Sequence, residues 1–148
     1  MRPAQLFFRE ARSKDVGIIV RVPLASGLLS GRFTRETEFG AGDHRHFNRE
    51  GAAFDKGETF AGVNYEQGLA AVEAIKAILP AEPALAAWAL RWILMFPEVS
   101  TIIPGASRVE QLTANLAASE LRELTPAEMG SVMAIYERHI KPAVHQLW

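Results

Sequence analysis

The sequence predicts an α/β fold with two parallel strands and flanking helices, and three observations carry that expectation. Ile18 to Val22 and Ser100 to Ile103 are short apolar runs rich in β-branched residues, nearly all apolar instead of alternating; strands of a parallel sheet covered on both faces read this way. A helical stretch precedes each run, which is the helix-then-strand half of a crossover unit. Pro23 and Pro104-Gly105 end the two runs, and the second turn opens directly into a helix. Strand, loop and helix start is where α/β proteins bind anions.

The elements follow in chain order. Pro3 to Lys14 carries Leu6, Phe7 and Ala11 on a weak helical stripe, with Gly17 as its expected C-cap. After the first strand, Leu24 to Arg35 is rich in Gly and Ser and reads as a loop, in which Gly27 and Gly31 permit close backbone approach to a ligand. Through residues 35–62 no period of 2 or 3.6 survives. A loop of that length is expected to be functional or disordered, and Phe39, Phe47, Phe54 and Phe60 predict that it packs against something. Asn64 to Leu79 places Leu69, Val72, Ile75 and Leu79 near helical spacing and stops at Pro80. Pro83, at a first-turn position, opens a helix from Ala84 to Phe96 that is apolar almost all round and so should be buried. Ser107 with Glu110 has the spacing of a capping box for a helix ending near Ala118. Thr125-Pro-Ala-Glu128 has the same signature for a last helix running to about His139.

Composition narrows the functional classes. With 148 residues, 49% apolar and 22% charged, the chain is an ordinary globular sequence of one domain, residues 1–148. A net charge of −1 gives no reason to expect nucleic acid or an acidic membrane as partner. Zero Cys removes disulfides, thiolate metal sites and a cysteine nucleophile together. No signal peptide and no apolar run near about 18 residues is seen, so a cytoplasmic location is expected. Two strands are too few for an independent sheet, so their edges are expected to be paired by another chain or by self-association.

Candidate site residues gather at the two turns. Ser107, Arg108, Gln111 and Asn115 fall at i, i+1, i+4 and i+8, so the last two share a helix face that looks back at the turn. Unpaired first-turn N–H groups, the positive helix end and Arg108 together suit an anion. Leu24, Ser26, Gly27, Ser30 and Arg32 form a second candidate, a loop offering backbone N–H groups and a cation. Asp43-His-Arg-His46 brings two His together but lacks a third ligand at recognisable spacing, so no metal site is predicted. Tyr65 and Tyr136 have no neighbouring Lys in sequence to lower their pKa, and no catalytic residue is assigned. Lys76 and Lys141 read as surface residues, Trp88 and Trp92 as core aromatics.

Three blocks also resemble a known family. Val22-Pro-Leu-Ala-Ser-Gly-Leu-Leu-Ser-Gly-Arg-Phe33, Ala89-Leu-Arg-Trp-Ile-Leu94 and Ile103-Pro-Gly-Ala-Ser-Arg-Val-Glu-Gln-Leu-Thr-Ala-Asn115 are similar, in that order, to the seventh-strand turn, the following helix and the last strand and turn of the aldo-keto reductases. The resemblance, from about Pro3 to about Tyr136, implies the C-terminal portion of a TIM (β/α)8 barrel. Such a barrel needs about 250 residues, so this chain is expected to be incomplete as a barrel. It implies NADP(H) as cofactor, held by Arg21, Pro23, Leu24, Ser26, Gly27 and Arg32 from the first turn and by Gly105, Ser107, Arg108, Gln111 and Asn115 from the second. Within that set Arg108 would meet the 2′-phosphate, Gln111 and Asn115 the adenine, Arg32 the pyrophosphate and Arg21 the nicotinamide, with Arg45 able to close over the cofactor. Val22 stands where a Ser is frequent, and Ala106 and Ala114 where polar contacts are common. The family's Asp, Tyr, Lys and His lie on earlier strands, so the chain alone is expected to be inactive in reducing an aldehyde or ketone. The alternative from another class is a noncatalytic nucleotide-binding or interaction module that self-associates.

Overall fold

A computed structural model describes residues 4 and 6–147. Helix α1, Phe8–Ser13, covers the later part of the expected 3–14; Ala4 and Leu6 before it are also helical, a turn at Phe7 intervenes, and Pro3 lies outside the described residues. Lys14 is its C-cap, and the left-handed residue that turns the chain is Asp15 at φ 52°, not Gly17. Gly17 has a different use: a Cβ there would stand 2.9 Å from Ser100 Oγ, so its bareness lets the start of the first strand approach the second. Strand β1, Ile18–Arg21, pairs in parallel with β2, Val99–Ile103, with an irregularity between Ile18 and Ile19.

The crossover between the strands holds most of the core. The 35–62 stretch is not structureless: it contains a short helix α2, His44–Phe47, with Asp43 as N-cap accepting from the Arg45 N–H, and two 3₁₀ turns, Lys56–Glu58 and Phe60–Gly62. Its signal was invisible to periodicity because the organising group is polar. Asn48, fully buried, accepts from the Ala53 and Phe54 N–H groups at 2.9 Å and donates to Thr59 Oγ1 at 3.2 Å. Of the four Phe, Phe60 is buried and Phe39 packs against it at 5.9 Å, whereas Phe47 and Phe54 form an exposed edge-on pair.

Helix α3, Tyr65–Lys76, starts at Asn64, whose side chain accepts from the Gln67 N–H. Helix α4, Leu85–Leu94, has Ala84 as N-cap, so Pro83 sits one residue before the N-cap instead of in the first turn. Leu28, Phe60, Tyr65, Val72, Leu79, Leu85, Trp88 and Leu124 form one buried cluster, with Trp92 packed against it. Helix α5, Val109–Ala117, follows β2, and α6, Pro126–Ile135, begins with the full Thr125–Glu128 capping box. It continues past the expected end through a wider turn, Tyr136–Ile140, into α7, Lys141–Val144.

One expectation fails in an informative way. The strands are not covered on both faces. Register pairs Ile19 with Thr101 and Arg21 with Ile103, so these four share a face. Ile19 is 61% and Ile103 59% exposed, while Val20 and Ile102, on the helix side, are half-buried. Their apolar sequence was written for a cover that these residues do not supply.

Candidate functional site

The pairing of Arg21 with Ile103 fixes the geometry of the site. Both strands run the same way and end level, so the turn after β1 and the turn after β2 leave the sheet side by side at its C-terminal end. Ligands of parallel α/β sheets bind at that end.

The first turn is tight and strained. Val22, Ala25 and Ser26 have φ of 49°, 48° and 56°, and Gly27 and Gly31 follow at 90° and 72°. Positive φ is costly at a β-branched residue such as Val22, and outliers of this kind concentrate at ligand-binding turns. The amides of Ala25, Gly27, Leu28, Leu29 and Ser30 donate to carbonyls of the same turn, so they hold its shape and do not wrap an anion as expected. Ser26 Oγ is likewise engaged, donating to the Glu58 carbonyl and accepting from the Phe60 N–H, each at 3.2 Å. What the turn presents outward is Arg32, exposed and close in sequence to Pro23 and Leu24, which are half-buried in the turn.

Arg21, exposed at the end of β1, is engaged by Glu58, with Nη1 donating to Oε1 at 3.1 Å and Nη2 to Oε2 at 2.8 Å. Glu58 is the site residue that sequence reasoning missed. It lies 37 positions away in a loop without periodicity, so nothing local announces it. Arg45 forms a bidentate pair with Asp43 and lies 4.7 Å over the Phe39 ring and 5.5 Å over Phe33, its Nη1 reaching the Ser26 carbonyl at 3.5 Å. The hydrogen bonds from Arg45 hold the Asp43 carboxyl down at about 2. This pair props the first turn from behind.

At the second turn the N-cap of α5 is Arg108, extended at φ −144°, and Ser107 stands one residue earlier. The Ser107–Glu110 capping box therefore does not form. Gln111 takes over: its Oε1 accepts from the Ser107 N–H at 2.8 Å and from Ser107 Oγ at 3.1 Å, so it does look back at the turn. Arg108 and Gly105 are exposed, and the Asn115 amide nitrogen is buried without an acceptor. The Gln111 N–H donates to the Arg108 carbonyl at 3.1 Å, which tightens the first turn of α5.

Tyr65 donates to the Thr34 carbonyl at 2.9 Å and Tyr136 pairs with His145 Nδ1 at 2.9 Å, while Lys76 and Lys141 pair with Glu73 and Glu137. Among the described residues no group of three or more His, Cys, Asp or Glu is placed to hold a metal, and no helix is long and apolar enough to cross a membrane. A cavity of about 270 Å³ lies on the helix side of the sheet, lined by Leu28, Val72, Trp88, Trp92, Tyr136 and Ile140 among others.

Two level strand–turn units backed by helices define an open segment of a β/α barrel, seen from the end that carries function in such barrels. The chain belongs to the aldo/keto reductase family, whose model matches residues 1–137. It is 28% identical over 137 residues to the L-glyceraldehyde 3-phosphate reductase of Escherichia coli K12, covering 93% of this chain and 37% of that protein. To the human aflatoxin B1 aldehyde reductase member 4 it is 34% identical over 113 residues, covering 71% and 34%. Among solved structures, a glycerol dehydrogenase from Gluconobacter oxydans superposes with a TM-score of 0.72 at 23% identity, covering 94% of this chain and 39% of the other. The holo form of an aldo-keto reductase from Bacillus halodurans gives 0.62 at 26% identity, covering 93% and 41%. The chain thus spans about two fifths of these relatives, which accounts for an open two-stranded sheet where they have closed barrels.

Proposed function

We propose that this chain supplies the cofactor-holding part of an aldo-keto reductase and that its cofactor is NADP(H). The observation that carries the reading is the level ending of β1 and β2, which brings Arg21 to the same end of the sheet as the turn leading to Arg108, with Arg32 exposed in the loop that follows β1. Three cations around two turns match the anionic charge of a dinucleotide phosphate better than that of a neutral ligand. Arg108, at the start of α5, meets the 2′-phosphate, where its charge adds to the helix end. Gln111 stiffens the Ser107 turn, and Asn115, whose amide nitrogen is buried without an acceptor, meets the adenine only by turning that donor outward. Arg32 faces the pyrophosphate. Arg21 reaches the nicotinamide only after exchanging its bond to Glu58.

The chemistry that NADP(H) supplies in this family is hydride transfer to an aldehyde or ketone. The chain's own residues bind and orient; Tyr65 donates to the Thr34 carbonyl and Tyr136 pairs with His145. The family's proton-donating Tyr and Lys belong to strands outside this chain, so turnover requires those strands.

Titration calorimetry with NADPH and NADH tests the reading. Arg108→Ala is expected to weaken NADPH by about 10- to 100-fold, the worth of a charge-assisted hydrogen bond, and NADH little, since NADH lacks the 2′-phosphate. Equal weakening of both would remove Arg108 from the phosphate role.

A further inference from the structure

We propose that the cavity between α3, α4 and α6 is a binding site for a small uncharged hydrocarbon, the size of a benzene ring with a short alkyl chain. Its volume is about 270 Å³. An apolar cavity of about 150 Å³ stays dry and takes up benzene, so this one has room for roughly three further carbons. Water is a poor occupant, since a buried water needs about two to four polar partners. Among the described residues the lining offers it none. It carries no charged side chain, and its polar side chains are Trp88, Trp92 and Tyr136. Both indole nitrogens are buried away from any open surface, and the Tyr136 hydroxyl is taken up by His145 Nδ1 at 2.9 Å. What the cavity shows a ligand is therefore carbon, from the rings of Trp88 and Phe60 and the side chains of Val72, Leu85 and Ile140.

The walls are held apart, so the space is preformed, as ligand pockets ordinarily are. Gly68 on α3 meets the first turn so closely that a Cβ would stand 2.6 Å from Leu28 Cδ2, and the helix can move no nearer. Trp88 on α4 is fixed by the Arg122 guanidinium 4.8 Å over its ring, and Arg122 in turn by Glu128. Tyr136 and Ile140 stand at the two ends of the wide turn that follows α6, and π-type turns of this kind are frequent at functional sites. On the near side Phe60 and Ala61 have φ of 50° and 55°, strain of a sort that gathers at ligand clamps. Ala61, the exposed residue of the lining, marks the mouth. None of Arg21, Arg32, Arg108, Gln111 or Asn115 lines the cavity, nor does any residue of β1, β2 or α5. The site is separate from the cofactor reading and from the bare face of the sheet.

Two probes with the same number of heavy atoms, n-propylbenzene and 2-phenylethanol, test the assignment in titrations of the full chain followed by methyl NMR in cofactor-free buffer. n-Propylbenzene is expected to give saturating shifts at Val72, Leu85 and Ile140 together. 2-Phenylethanol brings a hydroxyl that finds no partner, and is expected to bind at least about tenfold more weakly. Ala71→Leu, at a buried position of α3 that lines the cavity, puts an isopropyl group into the space. It is expected to abolish the saturable shifts while the thermal melt stays cooperative. Where that variant does not fold, Ala89→Leu on α4 fills the same space from the facing wall. No saturable shift, equal affinity for the two probes, or undiminished binding by the folded filling variant would overturn the proposal.

Discussion

Replacing Asn48 by Ala should unfold the long crossover loop locally and lower global stability by about 2–4 kcal/mol. The side chain is fully buried and makes four contacts: Oδ1 accepts from Ala53 and Phe54 at 2.9 Å, and Nδ2 donates to Thr59 Oγ1 at 3.2 Å and the Asp55 carbonyl at 3.4 Å. A fully buried N–H stripped of its acceptor costs about 1–3 kcal/mol. The two amides here are only part-buried, so the lower end of that range applies to each, and the lost Nδ2 bonds and the small void add about 1 kcal/mol more. Asn48→Asp keeps the acceptor for both amides but turns an anion toward the Asp55 carbonyl, so its penalty should shrink as the pH is lowered and the new carboxyl protonates. Urea melts give the loss from the midpoint at unchanged slope, and amide exchange at Ala53 and Phe54 reports the local event. The consequence for function runs through Glu58 and Phe60, which the same loop delivers to Arg21 and Ser26. A loss under about 0.5 kcal/mol, the ordinary size of a neutral surface change, with exchange at both amides unaltered, would refute the assignment of Asn48 as the loop's organiser.

Other perturbations separate the remaining roles. Glu58→Ala should cost under about 1 kcal/mol, because its pair with Arg21 is exposed, yet NADPH should bind more tightly once Arg21 is released; weaker binding in calorimetry would reverse the role given to the pair. Asp43 has a native pKa lowered to about 2 by Arg45, below the ordinary value of about 3.9. Its stabilising effect is therefore complete above about pH 4 and lost as the pH falls toward 2. Arg45→Met should flatten that part of the acid-unfolding profile, and an unchanged profile would count against the pair. Thr125→Ala removes the hydroxyl that accepts from the Glu128 N–H at 3.2 Å. It should cost about 1 kcal/mol by thermal melt, with no effect on NADPH affinity, since α6 starts far from both turns in sequence.

What the residues disclose in advance depends on how local the cause is. Both strands, the Asn64 start of α3 and the Thr125–Glu128 box were legible because each is set by neighbours within about four positions. The same rule misled at α5. Ser107 and Glu110 have the right spacing, but Gln111 at the third helical position competes for the turn and Arg108 becomes the cap. Nothing local shows that Asn48 is buried or that Glu58 meets Arg21, because both depend on how a polar loop folds back over the sheet. The exposed Ile19 and Ile103 are the opposite case. Their sequence reads as that of a parallel sheet covered on both faces, and the structure shows one of those faces bare among the described residues.

The central claim is that two turns, one after each strand, form a single NADP(H) site. Backbone amide NMR of the labelled chain during NADPH titration tests it most directly. The account predicts saturating shifts in two separate stretches at once, around Gly27 to Arg32 and around Gly105 to Gln111, with the second stretch silent when NADPH is added to Arg108→Ala at the same concentration. Shifts confined to one turn, or centred instead on Trp88 and Trp92 at the helix-side cavity, would contradict it.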